Sequence, residues 1–206
     1  RGLVDGGDQV ICITLSSGLS GTYQSAMIAA QDFDNVIVVD TGSVAIGSGI
    51  LAEYALRLLD QGLDADAIVR TLEAEKHKVH VIAMVDTLEY LKKGGRISAA
   101  TAVVGSMLNI KPIITVQDGV VENVAKARGP KAADKQLREL IAKSGGIDFS
   151  KPLCAAYSGN EDDNLKTFLA ESTELLCNTE APIATVGCVI GTHVGPGAVA
   201  LSYFVN

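Results

Sequence analysis

Apolar residues along this chain fall into two repeating patterns, short continuous runs and longer stretches with a spacing of three and four. Three such runs predict buried strands, at residues 10–15, 36–40 and 79–85. Three stretches with the wider spacing predict amphipathic helices, at residues 21–31, 43–61 and 64–75. The resulting β-α-β-α order indicates a parallel sheet covered by helices.

The second half of the chain mixes antiparallel and parallel organisation. Asp118-Gly119 lies between two strand-like runs and predicts a β-hairpin. Further helices are predicted at residues 86–93, 98–108, 130–143 and 162–172, and further strands at residues 153–157, 182–190 and 198–205, with a glycine-rich loop at residues 191–197. Because the pattern changes near residues 76–79, we expect an N-terminal α/β domain at residues 1–77 and a C-terminal α/β domain with a mixed sheet at residues 78–206.

Composition narrows the class of protein. Of the 206 residues 48% are hydrophobic, with 21 Gly and no Trp, which suits an α/β core filled by small aliphatic side chains. A net charge of −7 predicts repulsion from phosphate backbones and anionic lipid, so no nucleic-acid partner is expected. The longest apolar segment, residues 44–59, contains Glu53 and Arg57 and predicts a core helix rather than a transmembrane segment. Four cysteines without a CxxC pair favour buried thiols in a reduced, cytoplasmic protein.

A hydroxyl- and glycine-rich loop follows the first predicted strand and leads into a helix. Ser20 or Thr22 can cap that helix, while Gly18 and Gly21 allow an anion to approach the backbone and the free N–H groups of the first turn. The loop contains no Lys or Arg, which favours a singly charged guest such as a carboxylate over a polyphosphate. The stretch therefore predicts a carboxylate-binding site.

Three other features carry two interpretations each. His193, in the predicted glycine-rich loop, is either hydrogen-bonded to the backbone or a second donor to the anion beside Ser20. Two clusters of cations, one with Arg96 and one with Arg128, either compensate helix and strand ends or form a basic rim for an anionic partner or a phosphoryl group.

Motifs for catalysis and cofactor binding are absent from the sequence. Residues 18–22 lack the second glycine of a nucleophile elbow, and neither a P-loop nor a dinucleotide fingerprint is present. His77 and His80 have no companion ligands at metal spacing, so we interpret them as solvated residues before a strand. We expect no catalytic residue, no metal and no cofactor, and hence no enzyme.

Taken together, six stretches resemble the DegV family, the fatty-acid-binding proteins that serve bacterial fatty acid kinase. They follow one another in a single order: Ser16–Ala26, Val39–Ser43, Leu88–Ser98, Leu108–Ile113, Lys126–Gly129 and Gly191–Gly197. The resemblance implies a two-domain α/β fold, with a long acyl chain in an apolar tunnel and its carboxylate near the domain boundary. Family members usually begin with a further strand and an Asp-Ser-rich loop, and later have a Thr-Ser-Gln-Pro loop whose Thr also contacts the carboxylate. None of these is in this sequence, so the N-terminal domain is expected to be incomplete.

The resemblance also implies roles for individual residues. Ser20, with Gly21 and Thr22 of the same loop, and His193 would bind the carboxylate of a long-chain fatty acid. The kinase would phosphorylate the presented head group, and Arg96 and Arg128 would face either the kinase or the new phosphoryl group. Two alternatives remain open: a sugar-phosphate-binding, isomerase-like domain, which uses a similar serine loop, and an interaction module that carries lipid adventitiously.

Overall fold

The protein was analysed as a computed structural model that describes residues 2–98 and 109–206. In the first part of the chain the elements are α1 (Gly2–Asp5), β1 (Val10–Thr14), α2 (Thr22–Ala30), β2 (Val36–Asp40), α3 (Ile46–Asp60), α4 (Ala65–Glu75), a 3-10 turn (Lys76–Lys78), β3 (Val79–Met84) and α5 (Glu89–Lys93). In the second part they are β4 (Ile110–Gln117), β5 (Val120–Arg128), α6 (Pro130–Lys143), β6 (Cys154–Tyr157), α7 (Asp163–Glu171), β7 (Ile183–Thr185), α8 (Cys188–Val194) and β8 (Val199–Phe204). The helix expected at residues 98–108 lies almost entirely outside the described residues.

The first sheet consists, within the described part of the chain, of β1 and β2 alone. They pair in parallel, from Val10 opposite Val36 to Thr14 opposite Asp40. We expected β2 to be buried on both faces, and this is wrong: of its five residues only Val39 is fully buried. Helix α2 beside these strands has no buried residue. The apolar pattern therefore predicted a strand correctly, but it predicted more burial of the β2 side chains than the structure has.

Helices α3 and α4 join this sheet to the rest of the molecule. Asp64 caps α4 by accepting the N–H of Ala67 at 2.8 Å. The buried residues of α3 follow the spacing of three and four seen in the sequence, but Leu59, which continues this spacing and was expected on the same face, is 56% exposed. One hydrophobic cluster combines side chains of α3 and α4 with residues of β3 and β8, namely Ile50, Leu51, Ala55, Leu58, Ile68, Leu72, Val79 and Phe204.

The second sheet has six strands in the order β5-β4-β3-β8-β6-β7 and is mixed, as predicted. Among the described residues, the pair β6–β7 is parallel and the other four pairs of this sheet are antiparallel. The β4–β5 hairpin turns at Asp118 and Gly119, whose φ angles of 49° and 77° are the positive values that this turn requires. The α/β class with a small parallel sheet and a larger mixed sheet is thus confirmed.

The two faces of the second sheet have different neighbours. Ile82 and Met84 of β3 pack in the main hydrophobic cluster with residues of α6 and α7. Val81 and Ala83 alternate with them and point to the opposite face. On that opposite face they line a cavity together with residues of α3 and α8.

The region 182–197 differs from the prediction. We expected a strand to residue 190 and then a loop, but β7 stops at Thr185 and α8 occupies Cys188–Val194. A short apolar run does not distinguish a strand from one or two turns of helix. His193 therefore lies in the last turn of a helix. Gly195, with φ of 73°, is the first residue after the end of that helix.

Candidate functional site

The serine loop after β1 is fastened to the β4–β5 hairpin. Ser16 is buried, and its hydroxyl donates to the carbonyl of Gly119 at 2.6 Å while accepting the N–H of Gly18 at 3.1 Å. A Cβ at residue 18 would lie only 2.9 Å from that same carbonyl oxygen. Glycine is therefore needed at position 18 for this close approach to the hairpin, in addition to any approach by an anion.

Asp40 holds the start of the same loop from the end of β2. Its carboxylate accepts the N–H of Gly42 at 2.9 Å and the N–H of Ser17 at 3.2 Å. Burial acts to raise the pKa of Asp40, but hydrogen bonds from Ser17 and Gly42 and the nearby charge of Lys76 outweigh it, so the pKa lies below its ordinary value. The ionised carboxylate thus stabilises the folded loop.

Ser20 and Thr22 form a pair of hydroxyls at the start of α2. Their oxygens are 2.9 Å apart, and the Ser20 hydroxyl also accepts the N–H of Thr22 at 3.3 Å. The residue in the N-cap position is Gly21, which has no side chain to cap the helix, so the expected capping by Ser20 or Thr22 is wrong in this form. Since the two hydroxyls share one hydrogen bond, one O–H group remains able to donate to a ligand.

A cavity of about 390 Å³ lies beside this pair and is lined almost entirely by hydrocarbon. Its apolar walls come from many elements and include Leu15, Leu19, Val44, Ile46, Val81, Ala83, Leu91, Ile114, Val116, Val121, Val186, Val189, Ile190 and Ala200. Six polar side chains interrupt this lining: Ser20, Thr22, Ser48, Arg96, Thr115 and His193. The hydroxyl of Ser48 pairs with that of Thr41 at 2.9 Å, and the Thr115 hydroxyl donates to the Val81 carbonyl at 2.8 Å, so the other four form the polar end beside the serine loop. Residues more than 170 positions apart in sequence therefore reach one cavity.

His193 is held tightly by the neighbouring helix α5. Its Nδ1 atom is buried and has no hydrogen-bond partner in the described part of the chain. A Cβ at residue 94 would overlap this nitrogen, so the absence of a side chain at Gly94 is what makes room for the ring. Because Nδ1 is packed against Gly94, the opposite nitrogen, Nε2, is the one free to meet a ligand.

The turn after His193 is fixed from both sides. The Ser158 hydroxyl donates to the carbonyl of Gly195 at 2.5 Å and accepts the N–H of Ala198 at 2.9 Å. A Cβ at residue 195 would overlap the ring of Tyr90, and the positive φ at this position also favours glycine. Nothing in the sequence marked Ser158 as a residue of the site, because its partners are backbone groups about 40 residues away.

Arg96 bridges the two halves of the site. Its Nε donates to the carbonyl of Leu19 in the serine loop at 3.1 Å, and its Nη1 donates to the carbonyl of Gly94 at 2.7 Å. The guanidinium thus connects the loop that carries Ser20 with the helix that supports His193. A positive charge is thereby placed at the polar end of the cavity.

Two predicted residues, Gly21 and Arg128, are not in the lining of this cavity. Gly21 is exposed, and a Cβ added there would meet nothing within 4 Å. Arg128 lines a different cleft of about 480 Å³, beside the start of α6. The structure therefore brings Ser20, Thr22, His193 and Arg96 to one cavity and places Arg128 at another.

Several further expectations have mixed outcomes. Cys177 and Cys188 are exposed rather than buried, while Cys12 and Cys154 are partly buried. His77 is exposed, but His80 is half-buried in β3, and burial lowers its pKa. Among residues 2–98 and 109–206 there is no cluster of three or more metal-ligating side chains, and no helix long and apolar enough to cross a membrane.

Comparison with protein families gives a match over almost the whole chain. A family model described as "Uncharacterised protein, DegV family" matches residues 2–206. A DegV domain-containing protein of Caldanaerobacter subterraneus is 34% identical over 198 residues, which cover 95% of this chain and 70% of that protein. A DegV domain-containing protein of Halalkalibacterium halodurans is 32% identical over 204 residues, covering 98% of this chain and 72% of that one.

Solved structures with the same fold include proteins that bind fatty acids. A fatty-acid-binding DegV family protein from Thermus thermophilus superposes with a TM-score of 0.83 at 34% identity, covering 96% of this chain and 71% of that chain. The fatty acid kinase B3 protein of Streptococcus pneumoniae, loaded with linoleic acid, gives a TM-score of 0.86 at 22% identity, covering 97% and 72%. At that identity the second likeness concerns the fold alone.

Proposed function

This chain belongs to the DegV family, and on that premise we propose that it is a fatty-acid-binding protein. The proposal rests above all on the cavity that combines hydrocarbon walls with a polar end made by Ser20, Thr22, Arg96 and His193. A long-chain fatty acid has the same division between an apolar chain and one charged head group. The Thermus relative, at 34% identity, is described as binding a fatty acid.

The carboxylate would lie between the serine loop and α8. One hydroxyl of the Ser20–Thr22 pair and the backbone N–H of Gly21 would donate to it from the start of α2, where the helix dipole also favours an anion. His193 would donate through Nε2, because Nδ1 is packed against Gly94. Arg96 would add a positive charge without moving from its two carbonyl partners.

The acyl chain would supply most of the affinity. Each methylene removed from water contributes roughly 0.8 kcal/mol, so a long chain in a hydrocarbon-lined cavity binds strongly enough to remain through purification. The same lining argues against a sugar phosphate, whose hydroxyl groups would find few hydrogen-bond partners among leucine, valine and isoleucine side chains.

In this proposal the protein presents the head group and a fatty acid kinase performs the chemistry. The partner would phosphorylate the bound carboxylate, and the acyl phosphate would stay in the cavity. Arg96 would face the new phosphoryl group, and Arg128, which is exposed at the end of β5, would contact the kinase. No catalytic residue of this chain is required.

Mass spectrometry of an organic extract of the purified protein tests the first step. We expect a long-chain fatty acid in about one-to-one ratio with protein. A bound sugar phosphate would support the isomerase-like alternative instead. A protein that carries no lipid and takes up none from solution would refute fatty-acid binding.

Substitutions in the head-group site test the assignment of residues. Ser20→Ala removes a hydrogen bond to a charged group and should weaken fatty-acid binding by about 1.5–3 kcal/mol. His193→Gln places an amide nitrogen near the position of Nε2, whereas His193→Asn places it near Nδ1. We therefore expect Gln to retain more affinity than Asn, and the reverse order would show that Nδ1 contacts the ligand.

The role of Arg128 is tested with the kinase present. Arg128→Ala should leave fatty-acid retention unchanged and reduce the rate at which acyl phosphate forms. Loss of lipid with an unchanged rate per bound lipid would contradict the assignment of Arg128 to the partner surface.

A further inference from the structure

A second cleft, of about 480 Å³, opens on the face of the six-stranded sheet opposite the fatty-acid cavity. It lies between the beginning of α6 and one side of α7, and Met84, which belongs to the α6 face of β3, forms its floor. Arg128 and Lys131 both line it. Neither cation belongs to an ion pair among the described residues. Asp134 is the one acidic side chain in the described lining, so cations outnumber carboxylates in this cleft two to one.

The start of α6 adds backbone donors. This helix has 14 residues, begins with Pro130, and has Gly129 in the N-cap position with no side-chain cap. Proline has no N–H, so the N–H groups of Lys131 and Ala132 are the first that lack an acceptor within the helix. They carry the partial positive charge of the helix N-terminus and favour an anion.

Asp134 is an independent sign that this cleft receives a ligand. Its side chain is 4% exposed, lines the cleft, and leaves Oδ1 buried without a hydrogen-bond partner among residues 2–98 and 109–206. Burial and then the nearby carboxylate of Glu171 raise the pKa of Asp134, despite the opposing charge of Arg138. An unpaired buried carboxylate is unfavourable, so this atom needs a donor. Lys131 lies three residues earlier on the same face of α6.

We propose that the cleft binds inorganic phosphate as the hydrogen phosphate ion. The unprotonated oxygens would accept hydrogen bonds from Arg128, Lys131 and the free N–H groups of α6, and the amide of Asn164 on α7 is a further donor within the lining. The one P–O–H group would donate to Asp134, which thereby gains its missing partner.

This arrangement distinguishes phosphate from sulfate, an ion of similar size and shape. Inorganic phosphate retains a proton at neutral and mildly alkaline pH, whereas sulfate is fully ionised and has no hydrogen to donate. Sulfate would place an oxygen lone pair against the Asp134 carboxylate and leave two negative charges in contact. Phosphate monoesters at pH 8 are also unprotonated, so they should resemble sulfate.

Calorimetric titration of the whole protein at pH 8 and constant ionic strength tests the proposal. Inorganic phosphate should bind at least about tenfold more tightly than sulfate or glycerol phosphate, the factor expected for one hydrogen bond to a charged group. Asp134→Asn should bring the phosphate and sulfate affinities close together, because an amide can donate to sulfate. Arg128→Gln and Lys131→Gln should weaken both ions.

The matched control is Lys135→Gln, which removes a cation from the same helix at a side chain that is 76% exposed and 3.9 Å from Glu139. It should leave both affinities unchanged. Equal binding of phosphate and sulfate by the unsubstituted protein would overturn the proposal, as would preference for phosphate that survives in Asp134→Asn. The first of these outcomes is decisive even if Asp134→Asn does not fold. Fatty-acid content measured on the same samples is expected to be constant, so failure of the phosphate site and failure of fatty-acid binding are separately visible.

Discussion

The two sheets of this protein are stabilised in different ways. In β8, at the centre of the second sheet, five of the six residues are fully buried, whereas β1 and β2 have one fully buried residue each. Helix α2, which begins at Thr22 directly after Ser20 and Gly21, contributes no buried side chain. The first region is therefore held to the molecule by polar contacts and by α3 and α4, and the second by its own hydrophobic core.

This difference continues into the candidate site. His193 is fixed by packing against Gly94 and by the Ser158 hydrogen bonds at the following turn. The Ser20 loop is instead fastened by Ser16 and Arg96, each through hydrogen bonds to backbone carbonyls. The His193 side of the site is thus fixed mainly by packing. The Ser20 loop depends on a few hydrogen bonds that single substitutions can remove. Four substitutions test this contrast.

The largest effect on stability is expected from the core of the second sheet. Leu201 in β8 is 0% exposed, so Leu201→Ala should lower the free energy of unfolding by about 2–5 kcal/mol. Ile28 on α2 is 67% exposed, and Ile28→Ala should change it by less than about 0.5 kcal/mol. Urea denaturation measures both, and a similar loss for the two variants would contradict the contrast between the regions.

A smaller effect is expected where packing fixes His193. Gly94→Ala forces a methyl group into the position of the imidazole and should cost about 1–3 kcal/mol of stability together with most of the fatty-acid binding. Gly49→Ala is the control, because Gly49 is exposed in α3, does not line the cavity, and a Cβ there meets nothing within 4 Å. Equal lipid retention in the two variants would show that the position of His193 is not critical.

Loss of the Ser16 hydroxyl should act mainly on binding. Ser16→Ala removes the hydrogen bond to Gly119 and should lower the free energy of unfolding by about 0.5–1.5 kcal/mol. Because the Ser20 loop is then less well fixed, the loss of binding free energy for the fatty acid should exceed the loss of free energy of unfolding. Ser25→Ala, at an exposed position of α2, is the control. An unchanged affinity for Ser16→Ala would mean that the hairpin contact does not hold the loop.

The smallest effect is a dependence of stability on pH. The pKa of Asp40 is lower in the folded protein than its ordinary value, so its ionised form stabilises the fold at pH values above the unfolded pKa. That contribution is lost as the pH falls below this value and through the folded pKa. Asp40→Asn should therefore make the free energy of unfolding less dependent on pH in this acidic range, whereas Asp32→Asn, at an exposed position, should not.

Local patterns were sufficient for most elements and insufficient at the end of the chain. The Asp118-Gly119 turn and the beginning of α4 near Asp64 are determined by neighbouring residues, and both were predicted from the sequence, although the Asp64 cap itself was not. Helix α8 was missed because its seven residues are too few to show a helical period. The exposure of Leu59 and of much of β2 depends on which elements cover them, and no local pattern contains that information.

The sequence by itself determined the α/β class, the mixed second sheet and the candidate residues Ser20 and His193, since each depends on local periodicity or on a recognisable motif. The tertiary structure alone decided that Ser20, Thr22, Arg96 and His193 share a cavity while Arg128 faces another cleft. It also decided that Gly94 must lack a side chain and that Ser158 fixes the turn after α8. The physical reason is that these contacts join residues between 37 and about 170 positions apart in sequence. Such residues meet only when the two sheets and their helices have packed together.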